Sequence, residues 1–229
     1  MEYQEFIKRK SVIHPPTGIC EDVTLSTDLF DFQRDIIKWA LKRGRAAIFA
    51  GTGLGKSFME LSFADAVARK TNGKALILTP LAVGAQMERE AKRWGIEAKR
   101  AATQNDVSCH ISITNYQKIK HFDLSQFTCI VLDESSILKN ESGHYRTELI
   151  RDCRHIPFRL AATATPAPND FMELGNHAEF LGIMSYTDML STFFVHDASE
   201  SANMAAERPC GRSVLEMDGI MVSYAAKPG

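Results

Sequence analysis

From Phe32 onward the chain alternates amphipathic stretches with short runs that are apolar at almost every position. The first amphipathic stretch has apolar residues at Phe32, Ile36, Ile37 and Leu41, with Trp39 and Ala40 beside them, and stops at Lys42-Arg43-Gly44. That helical spacing, with a basic end closed by glycine, predicts a helix. Apolar runs at 46–50, 75–79, 111–114, 129–133 and 158–164 predict strands, and periodic stretches at 56–70, 83–95, 143–152 and 170–181 predict helices. A strand that is apolar throughout has to be covered on both faces, so the alternation predicts an α/β domain, a mostly parallel sheet with helices on both faces. Residues 1–28 contain His14-Pro15-Pro16-Thr17-Gly18 and little period, and are expected to form a lead-in to a domain at 29–195. Residues 196–229 mix small and polar residues without a clear period and are read as an irregular tail.

Composition sets limits on this picture. A chain of 229 residues holds one large α/β domain, with or without an appendage, but is short for two full ones. Its apolar runs fall well below the roughly 18 residues of a membrane span, and the N-terminus lacks a signal-peptide core. A cytoplasmic protein with no membrane partner is expected. The five cysteines are widely spread and never form a C-x-x-C pair, which supports neither a disulfide framework nor a zinc site. The seven histidines fall in no metal or triad spacing. A net charge of -1 gives no global attraction to nucleic acid, so any such contact has to come from a local face.

The candidate chemistry starts where the first apolar run ends. Ala50-Gly51-Thr52-Gly53-Leu54-Gly55-Lys56-Ser57 places a glycine-rich turn between a predicted strand and a predicted helix. Backbone N–H groups of such a turn converge on one point, and the helix N-terminus adds partial positive charge, so polyphosphate is the natural guest. In this reading Gly51, Thr52, Gly53, Leu54 and Gly55 form the cradle, Lys56 bridges the outer phosphates and the Ser57 hydroxyl ligates Mg²⁺. A phosphate loop also needs a carboxylate at the end of a neighbouring buried strand and a group to align water. Asp133 and Glu134 in Cys129-Ile130-Val131-Leu132-Asp133-Glu134 supply them. A third buried strand ends in Thr163-Ala164-Thr165-Pro166, whose hydroxyls could sense the outermost phosphate.

Phe32-Gln33, the phosphate loop, Thr79-Pro80, Ile113-Thr114-Asn115-Tyr116-Gln117-Lys118, Asp133-Glu134-Ser135-Ser136-Ile137-Leu138-Lys139-Asn140 and Thr163-Ala164-Thr165-Pro166 follow one another in order. Together they resemble the first motor domain of superfamily 2 helicases, nearest the Swi/Snf-type DNA translocases and their phage relatives, over about residues 27–195. Ala50 in place of the usual first glycine of the loop is in keeping with that group, whereas Ser135-Ser136 departs from the DEAH form of the acidic box. The resemblance implies a RecA-like P-loop NTPase domain that binds ATP and Mg²⁺ and moves along DNA. It assigns Gln33 to the adenine edge, Lys56 and Ser57 to phosphate and metal, Asp133 to the metal, Glu134 to water activation, and Thr163 and Thr165 to coupling. For the nucleic-acid track it assigns Thr79, Pro80, Gln86, Thr114, Asn115 and Tyr116, which contact backbone phosphates and so read no sequence.

Motors of this family use two RecA-like domains, the second bringing arginines to the phosphates, and such arginines are worth about 10³ to 10⁵ in rate in other ATPases. Arg208 and Arg212 do not lie in the family's arginine motif, so a weak or inactive ATPase without a second motor domain is expected. Read one base forward, the codons for Val214–Val222 can spell an aromatic-rich stretch, with tryptophan forced where Met217 meets Asp218 and where Met221 meets Val222. Residues 196–229 are therefore expected to be a truncated or frameshifted end. Two other readings stand beside the motor. One is a nucleotide-binding module that works as a partner-dependent switch; the other is a P-loop kinase of a small molecule, against which Gln33 and the Thr163 motif argue.

Overall fold

The computed structural model describes residues 15–140, 143–166 and 174–195, together with 208–209 and 221–224. The remaining tail residues, and with them the expectation of a frameshifted end, lie outside the described residues. The described residues start along the first helix: the N–H groups of Gly18 and Ile19 donate to the carbonyls of Lys42 and Leu41, and Val23 and Leu29 enter the core.

The elements follow in alternation. They are α1 (Asp31–Arg43), β1 (Arg45–Ala50), α2 (Lys56–Thr71), β2 (Ala75–Thr79), α3 (Gly84–Arg93), β3 (Ala98–Arg100), β4 (Ile111–Asn115), β5 (Cys129–Asp133), α4 (Ile137–Asn140), α5 (Gly143–Cys153), β6 (Phe158–Thr163), α6 (Leu174–Leu181) and α7 (Tyr186–Phe193). Short strands β7 (Phe194–Val195), β8 (Arg208–Pro209) and β9 (Met221–Tyr224) complete the described residues. Helix α1 begins where the Phe30 N–H donates to Gln33 Oε1 at 3.0 Å and ends at Gly44, as its basic, glycine-closed sequence predicts. The strand β3 was not expected, because three residues of which two are Lys99 and Arg100 carry no apolar period; it is an edge strand, where charge is tolerated. Strand β9, in the tail read as irregular, pairs with β1.

The large sheet runs β3-β4-β2-β5-β6-β1-β9, and every pairing in it is parallel. Alternate residues of each buried strand feed two separate apolar clusters. Ile48, Ile77, Ile113, Val131 and Leu160 join α1, α2 and α3 on one face. Phe49, Leu78, Leu132 and Ala161 join α5, α6 and α7 on the other. This is why the strands read as continuous apolar runs, and it places helices on both faces as expected. Among the described residues no helix is long and apolar enough to cross a membrane.

Candidate active site

Strand order decides what shares the carboxyl edge of the sheet. Because β5, β6 and β1 are neighbours, the ends carrying Asp133, Thr163 and the glycine-rich loop lie side by side, the usual ligand position in open α/β sheets. Thr79 and Asn115 end the adjacent pair β2 and β4 on the other side of β5, so the two halves of the motif set occupy different stretches of one edge.

Gly53 and Gly55 take φ of 81° and 75°, the left-handed region in which a Cβ is strained. At Gly55 a Cβ would also lie 2.4 Å from Gln33 Nε2. Gln33 is buried, and its Nε2 donates to the Leu54 carbonyl at 2.9 Å while its Oε1 accepts from Phe30. It braces the loop against the start of α1, a role that the adenine-reading expectation did not include; its amide still has one N–H unused. Lys56 Nζ donates to the carbonyls of Ala50 at 2.9 Å and Gly51 at 3.1 Å, which lays the ammonium across the loop. Ser57 is half-buried on the first turn of α2.

Asp133 closes β5 and is almost fully buried. Burial, and after it the Glu134 charge, push its carboxyl up to about 6, with Lys56 pulling the other way. Glu134 stands at φ 52°, a backbone that side-chain-bearing residues rarely take and that recurs at functional sites. Its Oε1 accepts from Thr163 Oγ1 and Ser136 Oγ, both at 2.6 Å, and Thr163 Oγ1 in turn accepts from the Thr165 N–H at 3.1 Å. Two hydroxyls thus hold one oxygen of this carboxylate. Ser135 fastens the acidic box to its surroundings: its N–H donates to Ala162 O at 2.9 Å, and its Oγ pairs with buried His177 Nε2 at 2.9 Å.

Glu60, one turn beyond Lys56 on α2, is fully buried, and neither carboxyl oxygen has a hydrogen-bond partner. Burial and the nearby Asp133 charge hold its pKa well above the ordinary carboxylate range. The sequence reading missed Glu60, Ser135, Ser136 and His177 as site residues. Glu60 left a signal, as an acid in a largely apolar stretch of helix, and Ser135 and Ser136 left theirs as the departing half of the acidic box.

The expected nucleic-acid residues divide. Thr79 and Thr114, with Asn115, Gly84, Arg100 and Lys118, line a cleft of about 300 Å³. The Thr79 hydroxyl donates to Pro80 O at 3.1 Å, and Thr114 Oγ1 is buried without a partner. Pro80 is half-buried, and exposed Gln86 pairs with Glu90 at 2.9 Å. Tyr116 is placed differently from the other five. Its side chain is 1% exposed, and its hydroxyl donates to the Asp133 carbonyl at 2.7 Å, so the side chain anchors the acidic strand end from inside the core.

The family model for DEAD/DEAH box helicases matches residues 30–174. Over 160 residues the chain is 24% identical to Protein CHROMATIN REMODELING 19 of Arabidopsis thaliana, an alignment covering 56% of this chain and 21% of that protein. Its fold is similar to the SWI2/SNF2 ATPase core of Sulfolobus solfataricus, solved in complex with double-stranded DNA, with a TM-score of 0.68, 20% identity and coverage of 90% of this chain and 46% of that one. It is also similar to the UvsW helicase of bacteriophage T4, with a TM-score of 0.56, 16% identity and coverage of 81% and 66%. The chain thus spans less than half of the first two of these relatives. The parallel sheet with helices on both faces is that of a RecA-like helicase core.

Proposed function

The chain belongs to the DEAD/DEAH box helicase family, and on that premise we propose that it is the ATP-binding first motor domain of a superfamily 2 DNA translocase. The observation that carries this reading is the hydrogen bond from Thr163 to Glu134 at 2.6 Å, which ties a hydroxyl at one strand end to the water-aligning acid at the next. The loop Gly51–Gly55 and the start of α2 receive the phosphates, with Lys56 exchanging its loop carbonyls for phosphate oxygens. The buried Asp133 carboxyl, whose charged form burial and Glu134 disfavour, fits a cation that would offset both effects. Asp133 and Ser57 would hold Mg²⁺, which when bound neutralises charge on the phosphates. Glu134, with Oε1 pinned by Thr163 and Ser136, orients a water through Oε2 and takes its proton.

Along the β2–β4 end of the same edge, Thr79, Pro80, Gln86, Thr114 and Asn115 provide hydroxyls, amides and backbone for DNA phosphates, a mode that positions a strand without reading it. A second RecA-like motor domain, which the described residues do not include, would bring arginines to the phosphates, and turnover is low until it is supplied.

Steady-state ATP hydrolysis by the purified chain, with and without duplex DNA and beside Lys56→Ala, tests this. The expected result is ATP binding that the Lys56 variant abolishes, with turnover that responds to DNA once a second motor domain is added. Turnover driven by a nucleoside and indifferent to DNA would overturn the reading in favour of a small-molecule kinase.

A further inference from the structure

The cleft at the β2–β4 end of the edge carries two cations to which the sequence motifs assign no role. Arg100 ends the edge strand β3, which pairs with β4, and Lys118 follows β4 by three residues; both line the cleft. Its volume of about 300 Å³ is that of a small ligand pocket, room for a phosphate and its sugar. The lining is two-sided. Thr79, Thr114 and Asn115 supply polar groups, and Thr114, 4% exposed, has an Oγ1 without a hydrogen-bond partner. Leu81 and Ala101 supply apolar carbon, Leu81 being 76% exposed.

Local bonds fix the two cations without using them up. Glu88 on α3 accepts the Arg100 N–H at 3.0 Å and its Nε at 2.8 Å, which holds the guanidinium by one edge. Among the described residues its two Nη groups donate to nothing. The Lys118 N–H donates to Asn115 Oδ1 at 3.2 Å, while its ammonium has neither a hydrogen bond nor an ion pair among the described residues. Asp106 also lines the cleft, but its Oδ2 is taken by the N–H groups of Ala102 and Thr103 and by the Thr103 hydroxyl, and Lys118 acts on it only through its charge. Gly84 and Ala85, the first residues of α3, complete this wall, and a helix N-terminus adds about half a positive charge. Glu88 and Asp106 offset much of the two cations, so the hold on an anion comes from placed donors and not from a large net charge. That suits the single charge of a phosphodiester better than the double charge of free phosphate.

The floor is kept open by a missing side chain. A Cβ on Gly84 would stand 3.4 Å from Thr79 Oγ1 and 3.8 Å from both Arg100 Cδ and Ile113 Cγ2, all three residues of the cleft lining.

On the premise of the DNA reading above, we propose that Arg100 and Lys118 grip one backbone phosphate of a DNA strand in this cleft, with the adjoining sugar against Leu81. The two free Nη groups match two phosphate oxygens as a fork, and the Lys118 ammonium adds a point charge.

The test is binding of a labelled DNA duplex to the full chain without nucleotide, read by fluorescence anisotropy over a series of salt concentrations. Arg100→Gln and Lys118→Gln are each expected to weaken binding and to lower the slope of log affinity against log salt by about one, and Arg100→Lys to recover the slope but only part of the affinity. Gly84→Ala makes only ordinary contacts in the free chain, so its thermal midpoint is expected to hold while DNA binding weakens. A slope unchanged in either charge variant, or DNA affinity unchanged in Gly84→Ala, overturns the cleft and leaves the DNA reading standing. No DNA binding by the parent chain at any salt concentration overturns that reading, and the cleft with it. Inorganic phosphate titrated calorimetrically into the same chains separates a strand from a free anion: phosphate binding lost in Arg100→Gln while DNA affinity holds gives the cleft to free phosphate and overturns the strand.

Discussion

The Thr163 hydroxyl donates to Glu134 Oε1 over 2.6 Å, across a sequence separation that only the pairing of β5 with β6 closes. Thr163 is fully buried, so its hydroxyl has no competing water. Replacing it with valine keeps the shape and removes one of two hydroxyls orienting the carboxylate. A hydrogen bond to a charged group is worth about 1.5–3 kcal/mol, so Thr163→Val is expected to lower ATP turnover by roughly tenfold or more with ATP affinity unchanged. Parallel measurements of turnover and nucleotide binding check this; equal loss in both would make Thr163 a binding residue.

Gly55 answers to two constraints, its φ of 75° and the approach of Gln33 Nε2. Gly55→Ala is expected to destabilise the chain by about 1–3 kcal/mol and to weaken nucleotide binding. Gln33→Ala removes the clash but not the φ strain, so the pair should be non-additive by at least about 0.5 kcal/mol in a double-mutant cycle read by denaturant unfolding. Strict additivity would remove Gln33 from the account of the loop.

Tyr116 supplies a discriminating test of the nucleic-acid track. Tyr116→Phe removes the bond to the Asp133 carbonyl and should cost about 1 kcal/mol of stability. Its effect is expected on turnover and not on DNA affinity measured without nucleotide. A selective loss of DNA binding would restore the role that its place in the sequence suggested.

Glu60 makes stability depend on pH with a definite sign. Its folded pKa lies well above the unfolded value near 4.5, so above that value the folded chain holds a proton that the unfolded chain has lost. The associated stability is full below the unfolded pKa and is lost as pH rises through the folded one. Glu60→Gln, which cannot ionise, should therefore gain stability relative to the parent as pH rises above the unfolded value near 4.5. Thermal midpoints of both chains across that range decide it, and a constant difference would mean that Glu60 does not titrate there.

Local pattern carried much of this protein. Five apolar runs, the helices between them, the glycine-rich turn and the acidic pair after Leu132 are properties of neighbouring residues, and each lies where its period or motif puts it. Strand β3 escaped because Lys99 and Arg100 are polar residues at an edge, where burial imposes no pattern. Which residues meet was a different matter. Whether Tyr116 turns inward and how Thr163 reaches Glu134 follow from the order of strands in the sheet. That order is set by packing two apolar faces at once, which joins residues far apart in the chain and leaves no mark in any short stretch of sequence.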